Sequence, residues 1–227
     1  MNELSQDNGV TPQNVTMETE PTTRIRIRFR KEGDLRWISH RDLARTWERV
    51  FRRANLRLKR TQGFHPKDKL TFPLALSLGV VGAEEILEVE ITKEVTVDEV
   101  TQTLQETLPE GLSVASLEII EPGTKKPRVA FVEYEVPLSA GRSTELQDAI
   151  EDLMKQSEIW IERANRDKPI DLRADLVEFK LRDDVLIIKQ QVTGTATANP
   201  REILAAVGVD EDEQAGYVIT RTKVEIT

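Results

Sequence analysis

The chain of 227 residues contains no cysteine and only two histidines, His40 and His65. The first absence excludes a disulfide framework, a thiolate-held zinc, an iron–sulfur cluster and a thiolate nucleophile in this chain. The second leaves too few imidazoles for a histidine-rich metal site. No run of eighteen apolar residues occurs, so no segment has the pattern of a membrane-spanning helix. The first 22 residues carry neither Lys nor Arg and no apolar centre, unlike a secretory signal. The phosphate-binding G-x-x-x-x-G-K-[ST] loop, a G-x-G-x-x-G after a strand and H-E-x-x-H are all missing. A cytoplasmic protein with no membrane contact, no metal and no cofactor of its own is therefore expected.

What is present is a sharply uneven charge. The net value of −8 combines 32 basic with 40 acidic side chains. Sixteen of the basic ones, against five acidic, fall within residues 24–70. An acidic chain with one strongly basic block is expected to turn that block toward a polyanion, and toward nucleic acid in particular. The internal alternative is that the block faces the chain's own acidic half.

Residues 1–22 are polar, acidic and aperiodic, the composition of a disordered tail. Arg24, Arg26, Arg28 and Arg30 alternate with Ile25, Ile27 and Phe29, the period of a half-buried strand. Ser39 and Asp42 have the spacing of a capping box and open a helix running to Ala54–Asn55. Along it Leu43, Trp47, Val50, Phe51 and Ala54 form one stripe, and Arg41, Arg45, Arg49 and Arg52 the opposite one. Leu56–Arg60 is extended and Thr61–Pro66 a loop. Leu70–Leu78 alternates as a strand, with Pro73 demanding an edge or a bulge. Glu84–Thr92, a helix from Val97 to Leu108 and a strand Leu112–Ile120 complete this half. Beyond the Pro122–Pro127 linker, strands are expected at Val129–Leu138, Glu158–Ala164, within Ala174–Val192 with a turn at Asp183-Asp184, and at Tyr217–Ile226. Helices are expected at Thr144–Gln156 and Asn199–Val207.

Each half thus reads β-α-β-β-α-β. The expected class is α+β: two tandem ferredoxin-like units with antiparallel sheets. Residues 1–22 form the tail, 23–121 a basic N-terminal domain, 122–127 a linker and 128–227 an acidic C-terminal domain.

Four features can carry chemistry. Arg24, Arg26, Arg28 and Arg30 would make a cationic platform for phosphates, unless Glu88 and Glu90 on the neighbouring strand neutralise it. Arg41, Arg45, Arg49 and Arg52, with Arg53, line a helix face on which only Glu48 is acidic. His40 follows the N-cap, where the helix dipole favours a neutral imidazole fit to act as a general base; the alternative is a packed histidine. The Gln62-Gly63-Phe64-His65-Pro66 tip sits among Arg57, Lys59, Arg60, Lys67 and Lys69, a ring for stacking among phosphate ligands. Phe64 could equally plug its own domain.

The stretch RIRIRFRKEGDLRWISHRDLARTWERVFRRANLRLKRTQGFHPKDKLTFPLALSLGVVGAEEILEVEI resembles the start of an uncharacterised bacterial family of radical-SAM-associated domains. The resemblance rests on the arginine strand, Ser39-His40-Arg41-Asp42-Leu43, Gln62-Gly63-Phe64-His65-Pro66 and the Leu74–Gly79 run. It implies a partner, a cobalamin-binding radical SAM protein that would carry the iron–sulfur cluster, SAM and cobalamin. A more distant similarity is to CRISPR repeat-processing endoribonucleases, which pair two ferredoxin-like units and cut RNA without metal. Where those enzymes place a glycine-rich gripping loop, this chain has the acidic Gly208–Glu213.

The leading expectation is an accessory protein that binds or presents RNA to such a radical SAM enzyme, in RNA modification or processing. Its RNA contacts would be Arg24, Arg26, Arg28, Arg30, Arg41, Arg45, Arg49, Arg52, Arg53, Arg60, Lys67 and Lys69, with Ser39, Gln62, Gly63, Phe64 and Pro66 as loop contacts. One alternative is a metal-independent endoribonuclease using His40 or His65. The other is a protein-only adaptor.

Overall fold

The computed structural model describes residues 21–138, 143–163, 169–193, 197–209 and 216–227. The expected tail falls almost wholly outside these residues, as do Asp210–Glu213.

Strand β1 (Thr23–Lys31) buries Ile25, Ile27, Phe29 and Lys31 and turns its arginines to the other face, as the alternation requires. A short 3-10 helix, Gly33–Trp37, leads to α1 (His40–Arg53). Ser39 caps α1: its Oγ accepts from the Asp42 N–H at 3.2 Å. Leu43, Trp47, Val50 and Phe51 are buried, and Trp47 meets Phe29 edge-to-face at 5.1 Å. Truncating Phe51 in this core would cost about 3–5 kcal/mol. The helix stops where Asn55 takes a left-handed conformation (φ 54°).

The remaining elements of this half are β2 (Leu70–Thr71), β3 (Val81–Ile91), α2 (Val97–Thr107) and β4 (Leu112–Ile120). Thr96 and Glu99 form a reciprocal capping box on α2. The expected strand Leu70–Leu78 shrinks to two residues. Pro73 cannot extend the ladder, and the chain then leaves this half. Leu74, Leu76 and Val80 pack in the second core, and the Ala75 carbonyl accepts from Arg221 at 3.1 Å.

The second half contains β5 (Val129–Pro137), α3 (Ser143–Lys155), β6 (Trp160–Ile161), β7 (Ile170–Asp171), β8 (Leu176–Arg182), β9 (Val185–Gln191), α4 (Pro200–Ala206) and β10 (Thr220–Ile226). Asp183 and Asp184 both have positive φ, as a tight β8–β9 hairpin demands. Pro200 opens α4 after the Asn199 cap. The strand expected over Glu158–Ala164 is limited to β6 among the described residues, where it pairs with β7; Ala164 lies outside them.

The class is mixed α/β, with four α-helices among the described residues and a sheet that is mostly antiparallel. The expectation of antiparallel sheets, one to each unit, needs correction. Strands of both halves share one sheet, in the order β4-β1-β3-β10-β5-β9-β8, with β2 beside β3. The join is parallel: Thr220 faces Val81 and Arg221 faces Gly82. Two cores remain distinct. One is built on β1, β3, α1 and α2, the other on β5, β8, β9, α3 and α4.

A buried ionic group sits at the join. Lys31 and Arg221 lie opposite Gly82 on its two neighbouring strands. Arg221 Nε donates to Glu85 Oε1 at 2.8 Å, and its Nη2 donates to Oε2. Arg221 is 1% exposed, Glu85 3% and Lys31 1%. Gly82 is required here, because a Cβ would come 2.4 Å from the Glu85 Cγ. Burial pulls the Lys31 pKa below its usual value, with Glu85 opposing and Arg221 assisting.

Candidate nucleic-acid interface

The arginines of β1 are not a free platform. Glu88, on β3, accepts from Arg24 at 2.5 Å and from Arg26 at 2.8 Å. Arg26 also reaches Glu118 of β4 at 2.7 Å. Arg28 donates to the Val224 carbonyl and lies 3.7 Å from Glu84, while Arg30 pairs with Glu32 at 2.7 Å. Arg24 additionally donates to the Thr124 carbonyl, which ties the linker across this face. Neutralisation by Glu88 follows from its register opposite Arg26. Glu90 is taken instead by Lys59 at 3.0 Å and by Lys69. Burial works against the Glu90 charge, but those two ammonium groups hold its pKa below the usual range.

Helix α1 is different. Arg41, Arg45, Arg49, Arg52 and Arg53 are all exposed. Arg45 pairs weakly with Asp42 at 3.4 Å, and Arg49 donates to the Thr46 hydroxyl at 3.0 Å. Arg41, Arg49, Arg52 and Arg53 have no ion-pair partner among the described residues. Like charges spaced three and four apart on one helix repel, so this face is electrostatically costly without an anion.

Residues 57–69 fold back on themselves as an arm. The Arg57 carbonyl accepts from the Thr92 N–H, and Lys59 N–H donates to the Glu90 carbonyl, which anchors one leg on β3. Arg60 and Asp68 pair as a bridge, and Thr61 N–H donates to the Lys67 carbonyl at 2.8 Å. Arg60 also holds the Pro66 carbonyl at 2.7 Å. Gly63 (φ 132°) turns the tip, where Gln62, Phe64, His65, Pro66 and Lys67 are all exposed. Phe64 is fully exposed, at 103%, so it does not plug its own domain. An aromatic ring left in water at a loop tip among cations offers a face on which a base can stack.

Between α1 and this arm lies a groove of about 440 Å3, lined in part by Arg52, Arg57, Arg60, Glu48 and Asp68. Arg57 is exposed and without an ion-pair partner among the described residues. It is a groove cation that the helical stripe alone does not reveal.

His40 keeps contact with solvent, yet its ring meets Phe72 edge-to-face at 5.0 Å. Its pKa is lowered, as expected for a neutral imidazole, but through partial burial and then the positive charge of Lys31. Ser39 works as the helix cap and donates to Asp42 at 2.7 Å. His65 stands exposed on the arm. Among the described residues no three His, Asp or Glu side chains are grouped as metal ligands.

Sequence reasoning passed over the Lys31–Glu85–Arg221 group and the exposed Trp37, over which the Arg36 guanidinium stacks at 4.9 Å. Lys31 did carry a signal, since it falls on the buried side of the β1 alternation. No helix of the described residues is long and apolar enough to cross a membrane. No curated protein matches the chain. A family model does match, over residues 24–204, which spans the basic strand, α1, the arm and most of the second half. The chain belongs to the family described as "Uncharacterized protein conserved in bacteria (DUF2344)".

Proposed function

We propose that this protein is an RNA-binding accessory protein that holds RNA backbone on α1 and the 57–69 arm rather than on β1. The observation that carries this reading is the contrast in neutralisation. The β1 arginines have carboxylate partners, whereas Arg41, Arg49, Arg52, Arg53 and Arg57 have none among the described residues. Guanidinium groups left unpaired on one surface suit bidentate contact with phosphates.

The strand orders β4-β1-β3-β2 and β10-β5-β9-β8 support reading each half as a ferredoxin-like unit. The resemblance to radical-SAM-associated domains supports an enzyme of that class as the partner acting on the bound RNA.

The test is fluorescence anisotropy with a labelled 20-nucleotide RNA at 50 and 200 mM salt. Affinity is expected to fall steeply with salt. Arg41→Glu/Arg49→Glu/Arg53→Glu is expected to abolish binding while the circular dichroism spectrum is retained. Equal affinity in the variant, or affinity insensitive to salt, refutes the reading.

One observation favours cleavage as a second reading: partial burial and then the Lys31 charge lower the His40 pKa, which favours the neutral imidazole a general base needs. RNA breakdown in EDTA that vanishes in His40→Ala, with binding intact, would establish it.

A further inference from the structure

The groove beside α1 combines three kinds of contact. Its floor is apolar, from Phe51, Leu56 and Leu58, and Arg52 and Arg57 stand on its walls. Asp68 is engaged by Arg60 at 3.6 Å. Glu48 is different: it is half-buried, lines the groove together with Arg52 and Arg57, and has no ion pair with a described residue. A carboxylate in that setting is an acceptor held for an N–H donor from outside. Arg60 and Asp68 also form the root of the arm whose tip carries the exposed Phe64.

Phosphate ligands and an acceptor therefore line one groove, and a stacking ring stands at the tip of the arm whose root forms part of its lining. A duplex offers neither a free base face nor a free Watson–Crick edge, whereas a single strand offers both. We infer that the groove binds an unpaired nucleotide of single-stranded RNA and prefers guanine, whose N1–H and N2–H can both be donated to the Glu48 carboxylate. Uracil presents a single N–H between two acceptors and fits that carboxylate poorly. This inference rests on the RNA-binding reading above and adds its substrate class.

The probes are a 12-nucleotide uridine strand, the same strand with one central guanosine, and a 12-base-pair RNA duplex. Wild type is expected to bind the guanosine strand about 5- to 100-fold more tightly than the uridine strand. Glu48→Gln is expected to remove that preference and keep uridine-strand binding. Phe64→Ala changes no charge and removes a side chain that touches nothing; it is expected to weaken both single strands about 5- to 100-fold and leave the duplex unchanged. A duplex bound as tightly as the single strands, or a preference that survives Glu48→Gln, overturns the inference and leaves general RNA binding standing. Failure of every RNA to bind overturns both. A polyglutamate peptide that displaces the guanosine strand at equal charge assigns the groove to protein and overturns the inference.

Discussion

Glu85 and Arg221 meet as a two-point ion pair across the boundary between the halves, 136 residues apart in sequence and both almost wholly buried. The pair holds the ends of β3 and β10 together where the sheet has its only parallel contact among the described strands. Lys31 shares this enclosure, so two cations depend on one carboxylate.

Removing that carboxylate should be costly. Glu85→Gln is expected to lower stability by about 3–5 kcal/mol, since it leaves two buried cations unpaired. Arg221→Met alone should cost less, because Lys31 still faces Glu85. The triple replacement Glu85→Leu/Arg221→Met/Lys31→Met is expected to recover most of the loss. Urea midpoints check this. A triple variant as unstable as Glu85→Gln would mean that the charges are not the source of the effect.

The pH response should show His40. Partial burial and then the Lys31 charge lower its folded pKa below the ordinary 6.5, with Glu85 opposing them. As pH falls below about 6.5 the unfolded chain takes up a proton that the folded one resists. Stability from this group is therefore complete above 6.5 and declines as pH drops through the lowered value. His40→Gln is expected to flatten that part of the curve. Lys31→Met is expected to raise the His40 titration midpoint by proton NMR, and a wild-type midpoint at or above 6.5 would contradict the account.

Strand and helix arginines should separate cleanly. Arg26→Gln removes a partner of buried Glu88 and is expected to cost roughly 1–3 kcal/mol of stability, with the salt slope of RNA binding unchanged. Arg49→Gln is expected to alter stability by less than about 0.5 kcal/mol and to reduce that slope by about one. The reverse pattern would move the RNA contact to β1.

Periodicity made the local structure legible. The Ile25–Phe29 alternation, the Ser39 cap and the Asp183-Asp184 turn are short-range features, and each appears where the pattern puts it. The fate of residues 73–80 was not legible, because Leu76 alternates correctly for a strand yet is buried in the other half's core. Which arginines stay free was only half legible. Charge density marks β1 and α1 equally, and the difference lies in Glu88, which the sequence offers as a neutraliser, and in Glu118, which only the β1–β4 register brings into place. Exposure of Phe64 likewise depends on the arm's closure by Arg60 and Asp68, a pairing that composition does not encode.

The position of β10 between β3 and β5 bears on how the molecule is made. During synthesis, β3 and β5 emerge from the ribosome with their inner edges open, and the strand that closes both is translated only afterward. Until then the nascent polypeptide presents two unpaired strand borders, the condition under which intermolecular pairing and aggregation arise.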